Sequence, residues 1–484
     1  MAEITFGTDG WRAIIAEDFT FDNVRCVAQS IAQHLRNQGL TERGIVVGYD
    51  TRFLAEKFAL VVAEVMAGND IHTYLCKKHT PTPAVAHAVI THNAAGAVML
   101  TASHNPAEYL GIKFIPGFAG PALPADIAPI VACMLDVIRT GTVDRLAMSQ
   151  AWEHGLVEAI EPLPTYTAQI EKLIDFNVIR EANIKAVVDP MYGAGIGYME
   201  SILQKHGCAV EAIHNWRDPL FGGSLPEPTS YHLKALAAQV QKSGADIGVA
   251  LDGDADRLGI VDPNGRFFSP NETLVLFMEY LVQSRGWQGA VARTVATTHM
   301  LDRLADHYGF PVLETPVGFK YIGQALREQN AFLGGEESGG FSVSRHIPEK
   351  DGIFAGLLFI EMLAKTGKTA AQLLSDISDR FGPLFSERID LRTSLEVKDE
   401  IVARMETWAP QRLAGIPVAS FSRVDGLKIV LHNGSWCLVR PSGTEPVFRI
   451  YVEAETEAEK IAIQDEVQAT LCAQTKEGEQ FCST

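Results

Sequence analysis

Positive charge is in short supply in this 484-residue chain. Lys and Arg number 41 against 59 Asp and Glu, a formal net charge of −18 at pH 7. Such a surface repels nucleic acid and anionic membranes, so neither is an expected partner. An anionic ligand would need a local concentration of Arg and Lys. Cysteine is sparse as well. The seven cysteines, at 26, 76, 133, 208, 437, 472 and 482, are odd in number and form no Cys-x-x-Cys pair. That argues against a zinc site or a disulfide framework and suits a reducing, cytoplasmic setting. No apolar run approaches ~18 residues, so nothing reads as membrane-spanning. The opening Met1–Phe6 has no basic region followed by an apolar stretch, so no signal peptide is expected.

What is present is an ordinary globular mix, 47% hydrophobic and 21% charged, which excludes disorder, collagen and coiled coil as the main state. At roughly 100–200 residues per domain, the length suits about three or four domains. Strand-like and helix-like stretches alternate: Gly44–Asp50, Ile71–Leu75, Ala95–Leu100, Ile184–Asp189, Asp246–Leu251, Ala290–Val295, Pro311–Glu314 and Ala331–Gly334 read as strands. Phe53–Ala67 and Pro81–Ile90 read as helices between them. This order implies βαβ units and mixed, mostly parallel sheets. The tail differs, with closely spaced strands at Leu427–Leu431, Trp436–Val439 and Val447–Val452 before a helical stretch, Glu455–Gln474. The expected architecture is therefore three consecutive α/β domains, at 1–150, 160–262 and 263–382, and a smaller C-terminal α+β domain at 383–484.

Five stretches could carry chemistry. Thr101-Ala102-Ser103-His104-Asn105-Pro106 follows an apolar strand, and in open α/β sheets ligands bind beyond the strands' carboxyl ends. The plain alternative is a turn, with Asn105 capping and Pro106 opening a helical turn. Asp252-Gly253-Asp254-Ala255-Asp256-Arg257 places three carboxylates at alternate positions after another strand. Crowded carboxylates call for a cation, and hard oxygens on a short loop suit Mg²⁺ or Ca²⁺. An EF-hand is excluded, because Arg257 and Pro263 stand where Gly and Glu are needed. Gly334–Gly340 joins carboxylates and a hydroxyl to flexible backbone, as polyol recognition or a Gly-rich turn would. Arg440–Pro446, with Arg449 beyond it, offers guanidinium forks and an anion nest, or a plain hairpin turn. Phe6–Arg12 is a Gly-rich loop before the first helix, or simple punctuation.

Taken together and in order, FGTDGWR, TASHNP, GIKF (Gly111–Phe114), DGDADR, GGEESGG and RPSGTEP resemble the α-D-phosphohexomutase superfamily, the phosphoglucomutase/phosphomannomutase group. The resemblance covers nearly the whole chain. It implies four domains around a central cleft, each contributing one loop. It implies a phosphoryl group on Ser103, and Mg²⁺ held by Asp252, Asp254 and Asp256 with a phosphoserine oxygen. Arg257 would lie beside that phosphate. Arg12, His104 and Lys113 would surround the reacting hydroxyl, with Lys113 the candidate general acid/base. Glu336 and Ser338 would grip sugar hydroxyls. Arg440, Ser442, Gly443, Thr444 and Arg449 would bind the phosphate that is not reacting.

The implied activity is interconversion of hexose 1-phosphate and hexose 6-phosphate through a hexose 1,6-bisphosphate. Glucose 1,6-bisphosphate would be activator and intermediate, and the protein a monomer or homodimer. Glucose is the expected sugar. Gly340 stands where dual-specificity and aminosugar members often carry His. The stretches Thr315–Lys320 and His346–Gly352 are similar to glucose-specific members, in which Lys320 would help bind substrate. Mannose or dual specificity is the alternative; a Mg²⁺-dependent sugar phosphatase or a non-catalytic sugar-phosphate binder fits less well.

Overall fold

The computed structural model describes residues 4–7, 10–441 and 447–472. The first sheet holds six strands: β1 (Trp11–Ile14), β2 (Ile45–Tyr49), β3 (Thr73–Cys76), β4 (Gly96–Leu100), β5 (Tyr109–Pro116) and β6 (Val157–Ile160), in the order β1-β5-β4-β2-β3-β6. The four strands from β4 to β6 in that order are parallel, whereas β5 lies antiparallel to both β4 and β1. The strands at its centre are apolar throughout because both faces are covered. Ile45, Val47, Val98 and Leu100 face one hydrophobic cluster, while Val46, Ala97 and Met99 face another. This is the two-residue alternation of a strand buried on both sides.

The second sheet holds β7 (Lys185–Asp189), β8 (Ala209–Ala212), β9 (Ile247–Leu251), β10 (Leu258–Val261) and β11 (Phe267–Phe268), ordered β11-β10-β9-β7-β8. Parallel pairing joins β9, β7 and β8, and β10 returns antiparallel on β9. The third segment contributes β12 (Ala290–Thr294) parallel to β13 (Val312–Thr315), and β14 (Ala331–Gly335) antiparallel to β15 (Phe341–Val343). The tail forms a sheet of β16 (Phe385–Arg392), β17 (Arg412–Leu413), β18 (Ile416–Ser422), β19 (Leu427–Leu431), β20 (Trp436–Pro441) and β21 (Val447–Ala454), ordered β16-β21-β20-β19-β18-β17 and antiparallel throughout.

The three α/β segments and the antiparallel tail thus stand as expected, with two corrections. Trp11 and Arg12 belong to a strand, not a loop, since β1 pairs along β5. The tail has six strands rather than the three that its apolar runs announced. By contacts the chain forms two compact units, Met1–Ala290 with Gly318–Ala371, and Val291–Val317 with Gln372–Thr484. No helix among the described residues is long and apolar enough to cross a membrane. Cys26, Cys76, Cys133, Cys208 and Cys437 are free thiols.

Candidate active site

In the first unit, Ser103 ends the turn that leaves β4. It is buried and holds a left-handed φ of 51°, a conformation uncommon outside glycine. No helix follows; Asn105 and Tyr109 close successive turns onto the carbonyls of Ala102 and Pro106. Asn105 is not a helix cap, and its Oδ1 instead accepts from Arg12 Nη1 at 2.6 Å. Arg12 reaches it from β1, opposite Gly111 of β5. A Cβ on Gly111 would stand 2.5 Å from the Trp11 carbonyl and 2.7 Å from that of Thr101, so only glycine lets the three chains approach.

The aspartate loop connects β9 to β10 and comes directly onto Ser103. A Cβ on Gly253 would stand 2.4 Å from the Ser103 carbonyl oxygen. Ser103 Oγ donates to Asp252 Oδ2 at 2.9 Å, and the other oxygen of Asp252 accepts the backbone N–H groups of Asp256 and Arg257. Lys113, from β5, donates to Asp254 Oδ2 at 2.9 Å and to Asp256 Oδ2 at 3.1 Å. All three aspartates are buried. Burial, with the charges of Asp256 and Asp254, pushes the Asp252 carboxyl well above the usual carboxylate range. Burial also works against the charge on Asp254, but Lys113 and a hydrogen bond from Thr82 outweigh it and hold that carboxyl low.

His104 Nδ1 lies 3.5 Å from Ser103 Oγ. Its burial, with the positive charges of Arg257 and Arg12, holds the imidazole well below its ordinary pKa, so the ring is neutral at pH 7. Arg257 Nε stands 3.8 Å from Asp256 Oδ1. A β-bridge between Arg257 and Gly340 ties the aspartate loop to the Glu336–Gly340 turn between β14 and β15. In that turn Glu336 is buried and accepts the Gly318 N–H at 2.8 Å. Burial and the neighbouring Glu337 push its pKa up to about 7. Ser338 is half-buried at the tip. Lys320 lies in the first turn of the helix Phe319–Glu328, two residues beyond Gly318.

This geometry has counterparts. Family models for phosphoglucomutase/phosphomannomutase alpha/beta/alpha domains I, II and III match residues 3–138, 164–265 and 269–381, and the model of the C-terminal domain matches 394–470. A phosphoglucomutase of Komagataeibacter xylinus is 31% identical over 97% of this chain and 91% of its own. The chain belongs to the phosphoglucomutase/phosphomannomutase family. A phosphoglucomutase/phosphomannomutase of Thermococcus kodakarensis is 32% identical, covering 93% of this chain and 95% of that protein. A solved structure from Thermus thermophilus superposes with a TM-score of 0.84 at 33% identity, covering 97% and 99% of the two chains.

The phosphohexomutase family is Mg²⁺-dependent, and the aspartates of this member fit such a cation. Their ligand atoms lie within 4.8 Å of one another. Asp254 Oδ1 and Asp256 Oδ1 are buried with no hydrogen-bond partner among the described residues. Unsatisfied buried carboxylate oxygens are costly, and a hard dication accepting oxygen ligands would satisfy both.

Two residues of this site were not singled out for it in the sequence. Thr82, at the start of the helix Thr82–Thr91, donates to Asp254 Oδ2 at 2.7 Å and fixes the carboxylate's rotation. Lys350 Nζ stands 3.2 Å from Asp256 Oδ2. Its signal was the His346–Gly352 stretch, read there only for its likeness to glucose-specific members.

The second unit holds the remaining candidates. Arg440 and Arg449 are cross-strand partners on β20 and β21. Arg440 Nε donates to Asp425 Oδ2 at 2.8 Å, and the same oxygen accepts the Val317 N–H at 3.0 Å. Ser442, Gly443 and Thr444 lie outside the described residues.

Proposed function

We propose that this phosphohexomutase interconverts glucose 1-phosphate and glucose 6-phosphate through a phosphoserine at Ser103 and glucose 1,6-bisphosphate. The observation that carries the reading is the Ser103 hydroxyl, buried and 2.9 Å from Asp252 in a three-aspartate loop that Lys113 spans. Phosphoryl transfer asks for little covalent chemistry from protein; it asks for in-line placement and charge neutralisation.

In this reading Asp252, Asp254 and Asp256 hold Mg²⁺, which when bound disperses the charge on the phosphoserine. Arg257 faces the same phosphate. The sugar hydroxyl attacks phosphorus, the bond to Ser103 Oγ breaks, and Lys113, in its neutral amine form, takes the hydroxyl proton. In the second transfer Ser103 attacks the other phosphate of the bisphosphate, and Lys113 returns the proton to the departing sugar oxygen. General acid–base help of this kind is worth ~10²–10⁴-fold. Arg12 and neutral His104 orient the reacting groups. Glu336, Ser338 and Lys320 hold the sugar. Arg440, Ser442, Gly443, Thr444 and Arg449 hold the phosphate that does not react. We assign these loops to segments 1–150, 160–262, 263–382 and 383–484, in that order.

Glucose preference is supported by the 340–350 region. A Cβ at 340 would stand 2.5 Å from Cδ of Lys350, so a histidine at that position would have to displace Lys350. The names of the relatives include glucose, mannose and glucosamine enzymes. Mutase kinetics with glucose 1-phosphate, mannose 1-phosphate and glucosamine 1-phosphate, run side by side, test the choice. The highest kcat/KM is expected with glucose 1-phosphate. Equal values for glucose and mannose would show dual specificity, and free phosphate without isomerised sugar would show a phosphatase.

A further inference from the structure

Ser103 sits in the loop between β4 and β5, and the backbone of that loop is held at several points by one side chain. Arg52 is fully buried, and each of its five N–H donors is used. Nη2 donates to the carbonyls of Ser103 and Asn105, both at 2.7 Å. Nη1 donates to those of Pro106 at 2.6 Å and Tyr109 at 3.0 Å. Nε donates to Asp50 Oδ2 at 3.2 Å.

The same Asp50 oxygen accepts from Thr101 Oγ1 at 2.6 Å, and Thr101 Oγ1 accepts the Ser103 N–H at 2.9 Å. Ser103 is therefore gripped through both its N–H and its C=O. The clamp is itself fixed from outside. Arg217 donates to the carbonyls of Thr51 and Arg52 at 3.1 Å each, and the Phe221 ring lies 4.8 Å from the Arg52 guanidinium.

We propose that Arg52 is a positioning residue that templates the Ser103 loop for phosphoryl transfer. The inference rests on the reading of Ser103 as phosphoryl carrier. A non-glycine residue at positive φ persists only where its surroundings over-determine it, and charged hydrogen bonds from Arg52 to three loop carbonyls and to that of Tyr109 at the start of β5 supply that. The buried Asp50 carboxylate offsets the guanidinium charge, so the contribution is geometric. The planar fork matters: a lysine keeps the charge but offers three donors from one atom and cannot reach four separated carbonyls.

Arg52→Lys, Arg52→Gln and Thr101→Val in the full chain test this, with Ser103→Ala as reference. The readouts are kcat and KM for glucose 1-phosphate, thermal unfolding, and the rate at which glucose 1,6-bisphosphate adds one phosphate to the intact mass. Both Arg52 variants should lose about 10²-fold in kcat and in phosphate uptake, the scale of a misplaced reacting group, with KM nearly unchanged. Wild-type kcat in folded Arg52→Gln overturns the proposal. Full recovery in Arg52→Lys overturns it too, because charge would then suffice. If the Arg52 variants do not fold, Thr101→Val decides: lowered kcat at constant KM supports the template, and unchanged kcat rejects it. A fully active Ser103→Ala defeats the underlying reading; an inactive Ser103→Ala beside a fully active Arg52→Gln defeats the positioning role alone.

Discussion

A Cβ placed on Gly340 would stand 2.5 Å from Cδ of Lys350, so the bare backbone at 340 is what lets this lysine cross to Asp256 Oδ2 at 3.2 Å. The two positions, ten residues apart in sequence, are a single steric unit. Gly340→Ala should destabilise the fold by about 1–3 kcal/mol, the usual cost of overpacking, as read by urea unfolding. Gly340→His should cost more, and should cost markedly less when Lys350→Ala has removed the Cγ and Cδ that fill the space. Contacting residues show such non-additivity; strictly additive effects would mean that the two side chains do not compete.

The sheet centres and the loops that leave them could be read in advance, for a physical reason. Val46, Val47, Val98 and Met99 lie in strands covered on both faces, which leaves continuous apolar runs. Of the strands missed, β1, β6, β8, β11, β15, β16 and β17 are edges, while β5, β10 and β18 are interior. In β16, Ser386, Glu387, Arg388 and Asp390 lie close together with most of the strand exposed, a pattern indistinguishable from a polar linker. Gly382, with φ 77°, turns the chain between the third segment and the tail inside the second compact unit, where Arg303 donates to the Phe381 carbonyl at 2.8 Å. Arg52 was illegible because its meaning lies in contacts made 51 to 57 residues away.

Glu336 sets a pH dependence. Its pKa is raised to about 7, and only the ionised carboxylate accepts hydrogen bonds from sugar hydroxyls through both oxygens. KM for glucose 1-phosphate should therefore rise as pH falls below about 7, and Glu336→Gln should flatten that limb. The stability sign is opposite to that of a salt-bridged carboxylate. Between pH 4.5 and 7 the unfolded chain has released this proton and the folded chain keeps it, so stability falls as pH rises through the window. Glu336→Gln should remove a penalty on the order of 3 kcal/mol at about pH 8, measured as the change between about pH 4 and pH 8 in mutant-minus-wild-type unfolding free energy. A pH-independent difference would contradict it.

The second unit carries its own acid sensitivity. His299 stacks near Trp436 with ring centroids 5.2 Å apart, and Lys428 Nζ lies 2.9 Å from its Nε2. Burial, then the charges of Lys428 and Arg293, hold this imidazole far below its usual pKa. The unfolded chain protonates it below about pH 6.5 while the folded chain does not, so stability is lost as pH falls through about 6.5. His299→Phe should keep the aromatic contact and weaken that acid limb in urea unfolding. An identical limb in the variant would remove His299 as its source.

The aspartate loop predicts dependence on a divalent cation. Chelator treatment should abolish mutase turnover, and added Mg²⁺ should restore it. Asp254→Asn removes one ligand charge and should raise the Mg²⁺ concentration needed for half-maximal rate. Undiminished turnover in the chelator-treated wild type would rule out a metal role for these carboxylates.

For Arg440 and Arg449 the expected signature is in KM. A charged hydrogen bond to an unreacting phosphate is worth ~1.5–3 kcal/mol, so alanine at either position should raise KM roughly ten- to a hundredfold with a smaller effect on kcat. Unchanged KM in both variants would take this loop out of substrate binding.

The central claim is that Ser103 carries the phosphoryl group. Its most direct measurement is intact-mass analysis with peptide mapping of the wild type and Ser103→Ala, before and after exposure to glucose 1,6-bisphosphate, alongside mutase assay. One phosphate on Ser103 of the wild type is expected, none on the alanine variant, and loss of nearly all turnover in the variant while its fold is kept. Full turnover in Ser103→Ala, or a phosphate that maps to another residue and turns over with substrate, would contradict the account.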